Sequence, residues 1–462
     1  MFGNKFLFNA ALFVQVALLA ACSTEEAAKT ASSSSVSSAG VSASRSSSTS
    51  SASSSTSSSS SANSSASSSS SSSSVSSSPS SGSALSIHVD GKLLKDGAGN
   101  VIQLRGVNLM GFEYTAISGW SPANPYPQLP ETSWGAMHTW KVNAIRIPIN
   151  SASWFNISCV DGTGAIRDAD PGNNYQSTLR AVVDRATQEG LYVILDLHWS
   201  APNDAARAVN GVSAMCAIDQ NPVADADYAL PFWTELATAY KNYPNVLFEL
   251  FNEPYLNSWG NAPASPGPWP ELLLGTTMGS YQTGYGGNYE IAHPWRSAGM
   301  QEMLTAVRNT GATNVVLASG LQWTQQLDQW LTYKPADPLN QLAAAWHAYP
   351  TFGTTWGSDA YKLPNFGEGA YTAAQNILNS GIPVIVTEFG DRNTDGTVGS
   401  PFASSLLPRL DIMGASYFGW TFTPSGESDN ILLKDYNGTP TDGFGVYVKQ
   451  HYICRSTTAT CQ

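Results

Sequence analysis

From Val101 onward, apolar residues gather into eight short runs: Val101–Leu109, Asn143–Ile149, Leu191–His198, Asn245–Asn252, Asn314–Gly320, Leu342–Tyr349, Pro383–Gly390 and Ala415–Phe422. Most are β-branched or aromatic, nearly continuous, and bounded by polar, Gly or Pro residues. Strands covered on both faces have this pattern, because neither face meets water. Helical spacing fills the intervals. Thr178–Glu189 sets Leu179, Val182, Val183 and Ala186 on one face and stops at Gly190, a residue suited to the left-handed turn past a helix end. Leu230–Tyr240, Trp295–Arg308 and Tyr371–Asn379 read the same way. Eight strands alternating with helices predict an α/β chain folded as a (β/α)8 TIM barrel. A doubly wound sheet is the weaker alternative, since no Gly-x-Gly-x-x-Gly follows an early strand. Ahead of the barrel, Ser86–Leu94 with turn residues Asp90-Gly91 predicts a small β-hairpin.

Before residue 85 the pattern changes. Lys5 precedes an apolar run from Phe6 to Ala21, broken only by Asn9 and Gln15. It is too short for a stable membrane span, and residues 1–21 read as an export signal. The run ends Leu19-Ala20-Ala21-Cys22, which resembles the bacterial lipobox; the resemblance implies a lipidated Cys22 and membrane attachment through it. By resemblance to known lipoproteins, Ser23 in place of Asp is compatible, in a Gram-negative bacterium, with sorting to the outer membrane, and display at the cell surface is expected. An ordinary signal peptide with an incidental cysteine is the plainer alternative. Of the 50 residues from Ala31 to Ser80, 35 are serine. Such a stretch buries too little apolar surface to offset its ordering entropy, so residues 22–84 are expected to be a disordered tether. Residues 85–462 form the expected catalytic domain.

A net charge of -12 repels phosphate backbones and argues against a nucleic-acid partner. Fourteen Trp and 19 Tyr beside only 12% charged residues suit a flat, neutral ligand. Six His and five Cys show no zinc-type spacing, so no metal is expected. Beyond Cys22, an exported domain makes disulfides expected among Cys159, Cys216, Cys454 and Cys461. Four cysteines allow three connectivities. The short separation of Cys454 and Cys461 favours pairing these two and leaving Cys159 with Cys216, with free buried thiols as the alternative.

In a barrel of this type the polar residue closing each strand faces the C-terminal mouth. The runs supply Arg146, His198, Asn252 with Glu253, His347 with Tyr349, Glu388, and Trp420. Glu253 and Glu388 lie three strands apart and would face each other. Opposed carboxylates are what glycoside hydrolysis needs, one to protonate the leaving oxygen and one to act at the anomeric carbon. Arg146 and the Tyr349 hydroxyl would favour an ionised, nucleophilic Glu388, while repulsion from Glu388 would help Glu253 keep its proton.

Asn252-Glu253-Pro254 on the fourth run, Glu388 on the seventh, and Arg146, His198, His347, Tyr349 and Trp420 together resemble glycoside hydrolase family 5, and within it bacterial endo-β-1,4-glucanases. Arg105-Gly106-Val107-Asn108 resembles the first strand of that family. The resemblance implies a retaining double displacement without a cofactor, with Glu388 as nucleophile and Glu253 as acid, then base. It further implies that Arg146 and Tyr349 orient Glu388, that His198 and His347 line the subsite before the scissile bond, that Asn252 holds the sugar 2-hydroxyl, and that Trp420 is the platform beneath that sugar. A monomer acting on cellulose or soluble β-glucan is expected. Mannan, glucomannan or xyloglucan cut by the same residues is the nearest alternative, and a surface glucan-binding protein without turnover is a more distant one.

Other residues have plainer readings. Glu249, two positions before Phe251, is expected to be a buried structural carboxylate, and Asp196 a supporting partner lower in the barrel. Glu113 is a candidate outer-subsite contact. His88, His138 and His451 are assigned to surface or packing roles, and His293 to the edge of the cleft. Trp140 and Trp233 belong to the core. Trp120, Trp199, Trp259, Trp269, Trp323 and Trp356 follow strands and are candidates for stacking on sugar rings.

Overall fold

The computed structural model describes residues 85–114, 117, 131–218, 220–256, 268–278, 281–282, 290–291, 294–349, 368–391, 400–424, 431–458 and 461. Eight parallel strands close into a barrel: β1 (Arg105–Asn108), β2 (Ala144–Asn150), β3 (Tyr192–Trp199), β4 (Val246–Glu249), β5 (Val316–Ala318), β6 (Leu342–Ala348), β7 (Val384–Phe389) and β8 (Ser416–Gly419). The ring closes where β8 meets β1, with Tyr417 beside Arg105 and Phe418 beside Gly106. Helices α1 (Glu131–Trp140), α2 (Tyr175–Gln188), α3 (Ala229–Tyr240), α4 (Met300–Asn309), α5 (Glu368–Asn379) and α6 (Pro401–Met413) fall between successive strands, and α7 (Phe444–Thr457) follows β8. Gly190 takes φ +77° just past α2, the conformation expected of it.

Two stretches depart from the pattern-based expectation. The first apolar run splits. Val101–Ile102 pairs with Leu93–Lys95, which pairs with His88–Asp90, so the expected hairpin is a three-stranded antiparallel sheet. Val101 is exposed there, and the barrel strand begins only at Arg105. In the fourth interval, Trp295–Arg296 pairs with Thr277–Met278, and the helix begins at Met300. Its start is set by Glu302, whose carboxylate accepts from Gly299 N at 3.1 Å, as a carboxylate near a helix N-terminus is placed to do. Trp140 and Trp233 are buried in the core.

The barrel's period of two builds its interior in layers. Ala144, Ile194, Leu247, Leu317, Ala345, Ile385 and Phe418 form one apolar cluster, to which Leu94 of the small sheet and Ile87 just ahead of it are added. Two residues further along their strands stand Arg146, Asp196, Glu249, His347, Thr387 and Trp420. A dry lower layer thus supports a polar upper one. Disulfides join Cys159 to Cys216 and Cys454 to Cys461. The first fastens the strand Ser158–Val160 to the loop that follows β3; the second lies at the end of α7.

Gly106 has a role its position makes specific. A Cβ there would sit 2.1 Å from the Phe418 ring on the neighbouring strand, while Tyr452 Oη donates to Gly106 O at 2.7 Å. Gly106→Ala is therefore expected to destabilise the fold by about 1–3 kcal/mol, the usual cost of overpacking. Thermal unfolding followed by circular dichroism checks this; an unchanged midpoint would show that Phe418 moves aside freely.

Candidate active site

Arg146 sits at the centre of the upper layer and is fully buried. Its three nitrogens meet five side chains, four by hydrogen bonds and Asp196 as an ion pair. Nε donates to Glu249 Oε2 at 2.6 Å. One terminal nitrogen reaches Asn108 Oδ1 at 3.0 Å and Glu388 Oε1 at 2.7 Å. The other reaches Asn252 Oδ1 at 2.8 Å and Asp196 Oδ2 at 2.9 Å. A guanidinium presents five donors in a fixed plane, so these five partners are held in one geometry. Glu249 is saturated further by the Thr387 hydroxyl, which donates to its Oε1 at 2.8 Å. The structural role expected for Glu249 has its contacts here.

Glu388 closes β7 with both oxygens bonded, Oε1 by Arg146 and Oε2 by the Tyr349 hydroxyl at 2.8 Å. Burial, followed by the charges of Glu388 and Glu253, pushes the Tyr349 hydroxyl well above its ordinary range, so it stays a donor. Glu253, just past the end of β4, is held differently. Its Oε1 receives His347 Nδ1 at 2.8 Å, and its Oε2 receives Gln220 Nε2 at 2.7 Å. Desolvation in the crowded mouth raises the Glu253 carboxyl, against the opposing effect of the Gln220 hydrogen bond. His347 Nδ1 also lies 3.6 Å from Glu388 Oε2. One donor atom each from Glu253, His347 and Glu388 all fall within 4.8 Å of one another.

Among the described residues, those three are the group with the geometry of a cation site. Their atoms are already paired, however: His347 Nδ1 supplies a proton to Glu253, and Arg146 places positive charge against Glu388. Burial lowers His347 to about 4, so the ring is neutral and its Nδ1 carries the hydrogen that the two carboxylates demand.

The other wall is built from β3 and β8. His198 Nδ1 lies 2.7 Å from Asp196 Oδ2, and Asn252 Nδ2 lies 3.3 Å from His198 Nε2. Burial, then the Arg146 charge, lowers His198 to about 3, so the ring is neutral. It donates through Nδ1 and accepts through Nε2. Burial raises Asp196 to about 7, in spite of Arg146. The His198 ring stacks on Trp420, with centroids 5.9 Å apart and planes 10° from parallel. Trp420 is half-buried and its peptide bond to Thr421 is cis. His347, His198, Asn252, Arg146, Tyr349, Trp420 and the two glutamates thus share one mouth.

Several residues lie elsewhere than expected. Glu113 is 2% exposed and accepts from Gly111 N at 2.6 Å; burial pushes it up to about 8, so it is an interior carboxyl and not a contact for an outer sugar. Trp269 lies in the helix Pro268–Leu274 and stacks on Tyr333 inside the protein. Trp323 is buried on Tyr255, with centroids 5.2 Å apart. Neither offers a free face to a sugar. Trp199 is half-buried at the end of β3. His138 pairs with Glu189 at the surface and His451 packs in the interior against Asp411. Cys22, Trp120, Trp259, Trp356 and His293 lie outside the described residues. Gln220, Asn108 and Thr387 belong to the site but were not singled out by sequence. Asn108 and Thr387 are inward positions of barrel strands and follow from period two. Gln220 lies in an irregular loop with no pattern to mark it.

The family model for cellulase (glycosyl hydrolase family 5) matches residues 96–426. Endoglucanase Z of Dickeya dadantii (strain 3937) is 25% identical over 231 residues, 50% of this chain and 38% of that protein. An endoglucanase of Halalkalibacter akibai is 24% identical over 347 residues, 73% of this chain and 36% of that protein. Cellulase CelDZ1 of a Thermoanaerobacterium species is 23% identical over 366 residues, 77% and 75% of the two chains. The chain therefore spans little more than a third of the first two relatives. Among solved structures, a hyperthermophilic endocellulase from Pyrococcus horikoshii has the same fold, with a TM-score of 0.57 at 17% identity over 80% of this chain and 99% of that one. A β-glucanase from Saccharophagus degradans gives 0.51 at 20% identity, covering 80% and 94%. The match over residues 96–426 and the closed eight-stranded barrel agree: this chain is a glycoside hydrolase and belongs to the cellulase family, glycosyl hydrolase family 5.

Proposed function

We propose that this glycoside hydrolase cuts internal β-1,4 bonds of cellulose or soluble β-glucan with retention of anomeric configuration. The observation that carries the retaining mechanism is the closeness of Glu253 and Glu388, one oxygen of each lying within 4.8 Å of the other. Retaining enzymes hold their carboxyls about 5–5.5 Å apart, whereas inverting ones need about 6.5–9.5 Å to admit a water.

The steps follow from the hydrogen bonds. Glu388, with donors on both oxygens, attacks the anomeric carbon. Glu253, raised by desolvation, gives its proton to the departing glycosidic oxygen. The C–O bond breaks and a glycosyl ester forms on Glu388. Glu253, now ionised, then takes a proton from water, whose oxygen attacks the same carbon and releases Glu388. In this reading Asn252 holds the sugar 2-hydroxyl, Trp420 is the platform beneath that sugar, and His198, stacked on Trp420, lines the subsite with His347. Support for β-glucan comes from relatives named endoglucanases and from the Saccharophagus degradans β-glucanase of the same fold, which was solved with cellotetraose. In the full chain, residues 22–84 tether this domain to a membrane through a lipidated Cys22.

The direct test is product analysis with residues 85–462 on carboxymethyl-cellulose, mixed-linkage glucan, xyloglucan and glucomannan. Rapid viscosity loss on carboxymethyl-cellulose with cellobiose and longer products is expected; activity confined to xyloglucan or glucomannan would move the substrate. Glu388→Ala is expected to lower hydrolysis on the order of 10⁴-fold or more, as loss of a nucleophile does. Glu253→Ala should cost about 10²–10⁴-fold on glucan but far less on aryl cellobiosides, whose leaving group needs no proton. Equal losses on both substrates would remove Glu253 from the acid role. Cys22→Ser should release the full chain from the membrane fraction, and continued labelling by a radioactive fatty acid would refute attachment at that residue.

A further inference from the structure

We infer that Gln220 is a positioning residue for Glu253, tuning when that carboxyl holds its proton, and that a fastened two-loop scaffold keeps it in place. The inference rests on the acid/base role proposed above for Glu253.

Gln220 is 3% exposed, and its side-chain amide meets Glu253 twice, reaching Oε2 at 2.7 Å and the main-chain oxygen at 3.4 Å. The loop carrying it is tied down at several points. Cys216 is bonded to Cys159, Cys216 N donates to Val160 O at 2.9 Å, and Asn150 Nδ2 donates to Ala217 O at 2.6 Å. Tyr255 completes the hold, its hydroxyl donating to Gln220 O at 2.9 Å and its N–H to Pro222 O at 2.9 Å.

The second loop follows β5 and carries backbone strain. Gln322, Trp323 and Thr324 have φ of +53°, +56° and +59°, three consecutive residues in a region that side chains other than glycine rarely adopt. What the turn holds is the chain around Glu253. Trp323 N donates to Pro254 O at 2.9 Å, and Thr324 Oγ1 donates to Asn252 O at 2.6 Å. The Trp323 ring also stacks on Tyr255, the residue that grips Gln220. Both loops therefore converge on one residue, from its carboxyl and from the peptide groups on either side.

The chemistry explains why such a hold matters. An amide N–H bonded to a carboxylate favours its ionised form, which opposes the desolvation that favours the neutral acid. Glu253 must be neutral in the first step and ionised in the second, so it needs both influences at once. The other groups facing it are Arg146, Asp196, His198, His347, Tyr349 and Glu388.

The test compares wild type with Gln220→Ala and the isosteric Gln220→Glu, each first shown to be folded by circular dichroism. With cellotetraose as substrate, kcat/KM of the alanine variant is expected to fall on the order of tenfold, part of the 10²–10⁴ that a general acid supplies. With 2,4-dinitrophenyl cellobioside, kcat/KM should change little. The alkaline limb of the cellotetraose profile should move to higher pH in Gln220→Ala and further in Gln220→Glu, where a second carboxyl discourages ionisation. Equal losses on the two substrates with an unmoved alkaline limb would overturn the inference. A ¹³C-carboxyl NMR titration, with Glu253 assigned by Glu253→Gln, needs no substrate. A midpoint unmoved between wild type and Gln220→Ala would overturn the inference alone, whereas a wild type inactive on both substrates would overturn the acid/base role.

Discussion

The site is organised around one buried cation. Arg146 hydrogen-bonds Glu249, Asn108, Glu388 and Asn252 and pairs with Asp196, residues contributed by β1, β3, the end of β4 and β7. Each is a buried polar group whose desolvation cost these contacts offset. A lysine at this point would offer three donors from a single atom and could not span the same plane. The mutual placement of the strand ends is therefore set in large part by the shape of a guanidinium. The apolar layer of Ala144, Ile194, Leu247 and Phe418 beneath excludes water and makes those bonds stronger than they would be at a surface.

The same arrangement sets the protonation pattern. Among the described residues Arg146 is the one cation in contact with the cluster, while Asp196, Glu249, Glu253 and Glu388 gather near it and Glu113 lies buried nearby. One positive charge cannot balance so many ionised carboxyls at low dielectric, so protons are retained. Burial raises Glu113 to about 8 and Asp196 to about 7, and raises Glu249 and Glu253 as well. The imidazoles respond in the opposite sense: His198 and His347 are pushed down to about 3 and 4, and add no positive charge. The raised carboxyl of Glu253 is thus first a consequence of burial, which outweighs the opposing pull of Gln220, His198 and Arg146.

What the sequence revealed follows from what repeats. The strands recur with a period and end in polar residues, so the barrel and the strand-end residues were legible from the alternation of apolar runs with helical stretches. Two of the misplacements share a cause: they fall where one run serves two elements. Val101–Leu109 reads as one apolar segment, yet its first two residues join a separate sheet, and Trp295 reads as helical but pairs with Met278. Trp269 and Trp323 were assigned to the cleft because they follow strands, whereas tertiary packing turned them inward onto Tyr333 and Tyr255. Gln220 left no local signal, because a contact across a fastened loop depends on the Cys159–Cys216 link and on Tyr255, neither of which has a fixed spacing from it.

Glu388 and Glu253 differ in the kind of support they receive, and the difference matches what each must do. Glu388 belongs to a barrel strand and is bonded by Arg146 on β2 and by Tyr349 at the end of β6. Its supports come from the most regular part of the fold, where covalent attack requires a fixed distance to the anomeric carbon. Glu253 stands just beyond β4 and is held by His347 from a strand, Gln220 from a loop, and a left-handed turn that grips Asn252 and Pro254. A group that must give up a proton and then take one back needs an environment balanced between its two states. Loops can adjust such a balance without disturbing the barrel, since the hydrogen bonds that define the strands do not pass through them. The fold thus places the atom whose position matters on the sheet, and the atom whose proton affinity matters where sheet and loops meet.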